Sequence, residues 1–336
     1  MNHFCTYCDQ GYAARMLCLH ASLKAQQESF RLWVLCFDAE TEAVVRAEAD
    51  ESLMAISLVQ FLAAEPDYAA VRTSRSRVEF YFTATPVLVR YCFSREAAAD
   101  RMTYLDADLF FFGPVSAVFA EQGDASVGIV PHRFLAHLAA QREHGTYNVA
   151  WVSFRRDEDG LGCLEWWRER CLEWCFDRVE KGRFADQGYL DEFPRRFRRV
   201  KSLDHPGVNA APWNVNTARL TFVAGAPWLE QKPVMFYHFQ GIREVAAGWF
   251  DPGLRPYRVR LTQELKDGVY LPYLRRLSDV QARLRRWHGI EPSLGYKRLP
   301  AGGGLRAGWE RFKAGWVWPT YRRVRGELVH CPEADA

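Results

Sequence analysis

Tyr104-Leu105-Asp106-Ala107-Asp108-Leu109-Phe110-Phe111-Phe112 sets two carboxylates, one residue apart, at the end of an apolar run, Arg101 to Leu105, that reads as a buried strand. Ligands of open parallel sheets bind outside the carboxyl ends of the strands. Two acids at such a position are costly unless a cation offsets them. Hard divalent ions such as Mn²⁺ or Mg²⁺ accept carboxylate oxygens and keep further positions for phosphate oxygens, which suits a nucleotide-diphosphate substrate. As a bare tripeptide Asp-x-Asp also fits an acidic turn after a buried strand.

Working outward, Asn2 to Tyr7 reads as a first strand, Asp9-Gln10-Gly11 as a turn, and Ala13 to Gln26 as a helix with Met16, Leu19 and Leu23 at helical spacing. Phe30 to Phe37 predicts a buried parallel strand and Glu40 to Glu51 a helix. Ala125 to Val130 predicts a further strand, and Leu161 to Val179 a helix leading to the loop at Asp186. Alternating β and α elements imply an α/β fold around a mostly parallel sheet with right-handed crossovers.

The chain has 336 residues, 49% of them hydrophobic and 14% aromatic, with 44 Lys+Arg against 41 Asp+Glu, a net charge of +3. This excludes disordered, collagen-like and low-complexity classes. The mild charge and the lack of any nucleic-acid motif argue against a nucleic-acid partner. The opening MNHFCTYCDQGY lacks the pattern of a secretory signal, and no apolar run reaches 18 residues, so a cytoplasmic protein is expected. Nine scattered cysteines fit reduced thiols. Cys5-x-x-Cys8 reads as strand packing, because a zinc site needs two more ligands at similar spacing. Cys171 and Cys175 read as the apolar face of a helix with Trp167 and Trp174.

Four separated segments carry a resemblance. Thr6-Tyr7-Cys8-Asp9-Gln10-Gly11-Tyr12, the Asp106-Ala107-Asp108 stretch, Ala185-Asp186-Gln187-Gly188-Tyr189-Leu190 and Tyr237-His238-Phe239-Gln240-Gly241 occur in the order seen in retaining glycosyltransferases of the GT-A fold. Residues 2–245 thereby resemble glycosyltransferase family 8. The resemblance implies a nucleotide-diphospho-sugar transferase fold and puts Asp106, Asp108 and His238 on a Mn²⁺ or Mg²⁺ ion bridging the donor diphosphate. Without the motif, His238 also fits a core histidine between Tyr237 and Phe239.

It further implies Asp9 near the base or ribose, Asp186 on donor-sugar hydroxyls and Gln187 facing the anomeric carbon. Asp186 could equally cap a helix opening at Gln187. Thr6, Tyr12 and Gly241 lie within the matching motifs and are expected around the donor with Asp106. Asn148, in Tyr147-Asn148-Val149-Ala150, is expected on a sugar or as an ordinary loop residue. Gly11 stands where the family's pattern has Asn, and Ile242-Arg243-Glu244-Val245 replaces its Lys-Pro-Trp, which leaves Arg243 to contact phosphate. The turn Pro206 to Asn214 offers Asn209, Trp213 and Asn214 to a sugar.

The composition shifts near residue 273 to a run of arginines and lysines, so the expected organisation is a GT-A domain at 1–272 and a basic, aromatic helical extension at 273–336. Leu305, Trp309, Phe312 and Trp316 fall on one helical stripe that suits an anionic membrane surface or packing onto the core. The expected activity is hexose transfer from a nucleotide diphosphate sugar, UDP-linked, to a saccharide or lipid-linked saccharide. The alternatives are a nucleotidyltransferase, which usually shows a Gly-rich basic loop absent here, and a non-catalytic scaffold of the same fold.

Overall fold

A computed structural model describes residues 1–290 and 318–331. The first strand, β1 (Asn2–Cys8), pairs in parallel with β2 (Phe30–Cys36) on one side and β4 (Arg101–Leu105) on the other, and β2 pairs in parallel with β3 (Leu53–Ser57). Beyond β4 come β7 (Tyr147–Arg155), antiparallel to its neighbours, then β6 (Val127–Pro131) and β8 (Val200–Ser202). The seven strands run in the order β3-β2-β1-β4-β7-β6-β8. The expected α/β architecture and mostly parallel sheet are thus present.

Alternation along β1 splits the core in two. Phe4 and Cys8 face one cluster, with α1 (Ala13–Ala25) and the helix Leu271–His288, while Cys5 faces the other, with the long helix Arg77–Arg95 and the helix Glu158–Glu173. Cys5 and Cys8 therefore point to opposite faces of the sheet and cannot share a ligand. All nine cysteines are buried and unbonded. Helix bounds differ from the sequence reading where side chains cap them. Asp38 accepts from the Thr41 amide to open α2 (Ala39–Ala47), and Asp157 accepts from the Gly160 amide to open Glu158–Glu173. Arg77–Arg95 is opened by a capping box of Ser76 and Glu79.

A short strand, β5 (Leu109–Phe111), follows the acidic turn and pairs with a strand that comes 125 residues later. The intervening chain forms a small antiparallel sheet of β9 (Leu220–Val223), β10 (Ala226–Leu229) and β11 (Lys232–Pro233), then returns as β12 (Phe236–His238), antiparallel to β5 with His238 opposite Leu109. Gly207 seats that return. Its carbonyl accepts from the Met235 and Phe236 amides, and a Cβ there would lie 1.9 Å from the Pro233 carbonyl oxygen.

Chain beyond residue 272 joins the same core. Leu274, Leu277, Val280 and Leu284 of Leu271–His288 pack in the α1 cluster, as do Val329 and Cys331. β13 (Arg243–Ala246), β14 (Trp249–Asp251) and β15 (Val329–His330) form a further sheet, clamped by Arg322, which donates to both oxygens of the buried Asp251 at 2.7 and 2.9 Å. Leu305, Trp309, Phe312 and Trp316 lie outside the described residues. No described helix is long and apolar enough to cross a membrane.

Gly207→Ala is expected to destabilise by about 2–3 kcal/mol, since the clashing atom is backbone; a melting temperature within roughly 2 °C of wild type would contradict this seat. Asp251 supplies a pH test. Burial alone would raise its pKa, but Arg322 and Arg243 hold it below the usual carboxylate value. A depressed carboxyl contributes stability that is complete above its unfolded pKa and lost as pH falls through the folded one. Asp251→Asn should therefore lower the melting temperature at pH 7 and flatten its decline from pH 5 to 3, followed by differential scanning calorimetry.

Candidate active site

At the carboxyl edge of β1, β4 and β6 the chain encloses a cavity of about 590 Å³ whose lining includes Asp9, Tyr12, Asp106, Asp108, Asn148, Asp186, Gln187 and His238. This volume lies within the range of small-molecule sites.

The acidic turn is fixed from three sides. The Asp106 amide donates to the Ala150 carbonyl, the Phe239 amide donates to the Asp108 carbonyl, and Tyr104, from the buried strand, donates its hydroxyl to Asp106 Oδ1 at 3.0 Å. The β5–β12 register then brings His238 beside it. His238 Nε2 is 3.1 Å from Asp108 Oδ1 and 3.7 Å from Asp106 Oδ2, and one ligand atom from each of the three residues falls within 4.8 Å of the others. Two carboxylates and an imidazole converging this closely are a donor set that fits a divalent cation. It is the only such group among the described residues. His238 is buried, and its Nδ1 has no hydrogen-bond partner.

Electrostatics distinguish the two carboxylates. Burial pushes Asp106 up to about 6, and the neighbouring Asp108 charge adds to it. Burial acts on Asp108 in the same sense, but His238 and then Arg15 hold it below the usual value. Arg15, missed by the sequence reading, is 4% exposed, sits 4.0 Å from Asp108 and donates to the Ile242 carbonyl at 2.8 Å. The signal was available, because Arg15 is a charged residue on the apolar face of α1, four before Leu19.

Asp186 precedes a short 3₁₀ turn, Gln187–Glu192, but its side chain does not cap it. Thr85, from Arg77–Arg95, donates to Asp186 Oδ2 at 2.7 Å, and Trp167 Nε1 donates to its carbonyl at 2.9 Å. Burial and the Asp106 charge raise Asp186 to about 7 against that hydrogen bond. Gln187 is held at both ends of its amide: Nε2 donates to the His144 carbonyl at 2.8 Å and Oε1 accepts from Asn148 at 3.0 Å. Asn148 also faces His132 Nε2 at 3.3 Å, while His132 Nδ1 faces the Thr146 carbonyl. That pattern assigns a neutral His132 with its proton on Nδ1, and burial lowers its pKa to about 3.

Asp9 Oδ1 accepts from the Gly11 amide, and its other oxygen faces the Tyr81 hydroxyl and Arg77 at 3.4 Å each. Tyr12 is 42% exposed, with the Arg15 guanidinium 4.4 Å from its ring centre. Five residues expected around the donor or its sugar do not line the cavity, among them Asn214, whose amide donates to the His132 and Asn209 carbonyls. Thr6 shares the Phe4–Cys8 face of β1 and is fully buried in the core. Asn209 is fully buried with its amide toward the Pro131 carbonyl. Gly241 lies beyond Gln240, which does line the cavity, and Arg243 is held by Asp251 at 2.9 Å. Trp213 lines it but is only 1% exposed, packed edge-on to His132 and His238, and so has no open face for a sugar ring.

No protein-family model matches the chain. It is 33% identical over 252 residues to the uncharacterized protein YfnF of Bacillus subtilis (strain 168), covering 72% of this chain and 82% of that protein. It is 24% identical over 293 residues to the uncharacterized protein YfnD of the same organism, covering 85% and 89%. The chain belongs to the family of YfnF. Among solved structures it is similar to the galactosyltransferase LgtC, crystallised in complex with donor and acceptor sugar analogues, with a TM-score of 0.53 and 15% identity over 86% of this chain and 99% of that one. The fold is the GT-A α/β fold with a C-terminal helical extension.

Asp108→Asn and His238→Ala should each weaken Mn²⁺ binding by more than the 10- to 100-fold that loss of a supporting residue brings. Isothermal titration calorimetry checks this, and undiminished affinity in both variants would remove the trio as a metal site.

Proposed function

We propose that the protein is a metal-dependent retaining glycosyltransferase, related to glycosyltransferase family 8, that moves a hexose from a UDP-sugar to a saccharide or lipid-linked saccharide. The observation that carries this reading is the convergence of Asp9, Asp106, Asp108, Asp186, Gln187 and His238 on one cavity at the carboxyl edge of a GT-A sheet.

In this reading Asp106, Asp108 and His238 hold Mn²⁺ or Mg²⁺, which when bound neutralises charge developing on the leaving diphosphate. Asp9 and Tyr12, at the mouth of α1, receive the base and ribose. Asp186 accepts hydrogen bonds from donor-sugar hydroxyls, its orientation kept by Thr85. Gln187, with its amide fixed by His144 and Asn148, presents a constant dipole to the anomeric carbon. With no carboxylate assigned as nucleophile, retention follows from front-side attack. The acceptor hydroxyl gives its proton to a leaving phosphate oxygen as the C1–O bond to the diphosphate breaks and the new glycosidic bond forms on the same face.

Placement at the cytoplasmic face of a membrane is part of the proposal. Arg275, Arg276, Arg286 and Trp287 are exposed on Leu271–His288, which supports contact with anionic lipid. The division at residue 272 is kept as a proposal about sequence character, with the basic portion sharing the core of the first.

The test is thermal unfolding with UDP, GDP and ADP, each with Mn²⁺ or EDTA. A ligand at about 100 times its dissociation constant should add roughly 2.7 kcal/mol of stability. UDP is expected to stabilise in a Mn²⁺-dependent manner, with Asp186→Asn retaining UDP binding while losing transfer from the UDP-sugar. No shift with any nucleotide would favour a non-catalytic scaffold.

A further inference from the structure

We propose that a second cavity, at the opposite edge of the central sheet, binds the phosphate group of a small molecule. This cavity, of about 570 Å³, is lined where β1, β2, β4 and β7 present His3, Arg31, Arg101 and Arg155. Five residue steps along β1, from His3 to Cys8, separate it from the first cavity by roughly 17 Å.

Arg101 and Arg155 stand directly opposite each other in the antiparallel β4–β7 ladder. Like charges so placed destabilise a sheet unless something offsets them. Arg31 is paired with Glu96, and the exposed Asp100 shares the cavity, but no carboxylate among the described residues lies within ion-pair distance of Arg101 or Arg155. The three arginines therefore face only two carboxylates in the cavity. Arg101 is laid flat on the Phe119 ring at 4.4 Å, which fixes its plane without using its N–H groups. Burial and the Arg155 charge depress its pKa against the opposing influence of Asp100.

An independent observation points to a ligand. Arg101 Nε, Arg31 Nε and His3 Nδ1 are buried with no hydrogen-bond partner, and His3 is itself only 7% exposed. A tetrahedral phosphate takes hydrogen bonds from several directions, and guanidinium forks match its oxygens. The cavity exceeds what phosphate alone fills, which leaves space for an organic body.

The experiment titrates the full chain, in EDTA and at constant ionic strength, with inorganic phosphate and separately with glucose 1-phosphate. One saturable site is expected, tighter for the sugar phosphate, with affinity reduced about tenfold or more in Arg155→Gln, since a charge-assisted hydrogen bond is lost. Arg155 is only partly buried at the strand end, so its variant keeps the test available where Arg101→Gln fails to fold. Absence of binding in wild type, or equal affinity in Arg155→Gln, which would seat the phosphate elsewhere, overturns the proposal.

Discussion

The antiparallel register of two three-residue strands decides whether this protein has a metal site at all. β5 and β12 are separated by more than a hundred residues, yet pairing His238 with Leu109 puts an imidazole beside a turn whose two carboxylates are already fixed by Ala150, Phe239 and Tyr104. A slip of one residue would turn His238 to the other face and offer Tyr237 or Phe239 in its place. Much of the chain between serves that pairing. Gly207 provides close backbone approach, the β9–β11 sheet closes the excursion, and the stacked rings of Phe239 and Tyr273, 3.9 Å apart, tie the following residues to the C-terminal helix.

Other polar side chains lining the cavity are held in the same way. Asp186 is oriented by a threonine from one helix and a tryptophan from another, and Gln187 by an asparagine that is itself aligned by a neutral histidine. Each of these side chains gains its direction from a neighbour on a different element. Cooperative networks of this sort keep geometry at the expense of burying charge, and the raised Asp106 and Asp186 carboxyls are the trace of that burial. The facing arginines at the far edge of the sheet likewise stand without an ion-pair partner among the described residues.

The first helix, four of the central strands and the acidic turn were legible because their signals are local: apolar runs of strand length, helical spacing, and charged residues at strand ends. The helix Arg77–Arg95, which forms one wall of the cavity, was not read, although Ser76 and Glu79 carry its capping signature. Thr6 shows the limit of motif matching, since it sits beside residues that reach the cavity while its own side chain faces the core. Arg243 shows another. Its charge suited a phosphate, but Asp251 lay eight residues on, and sheet pairing joined them first.

The sequence by itself determined the α/β class, the Asp106–Asp108 pair at a strand end, the reduced cysteines and the four motifs in order, because each depends on composition, period or adjacency. Tertiary structure alone decided that Arg15 stands behind Asp108, that Thr85 holds Asp186, that Trp213 is enclosed, and that Arg322 returns to clamp Asp251. Those contacts join residues that no periodicity relates, and which partner a buried charge takes is settled by what the packed chain brings within a few ångströms of it.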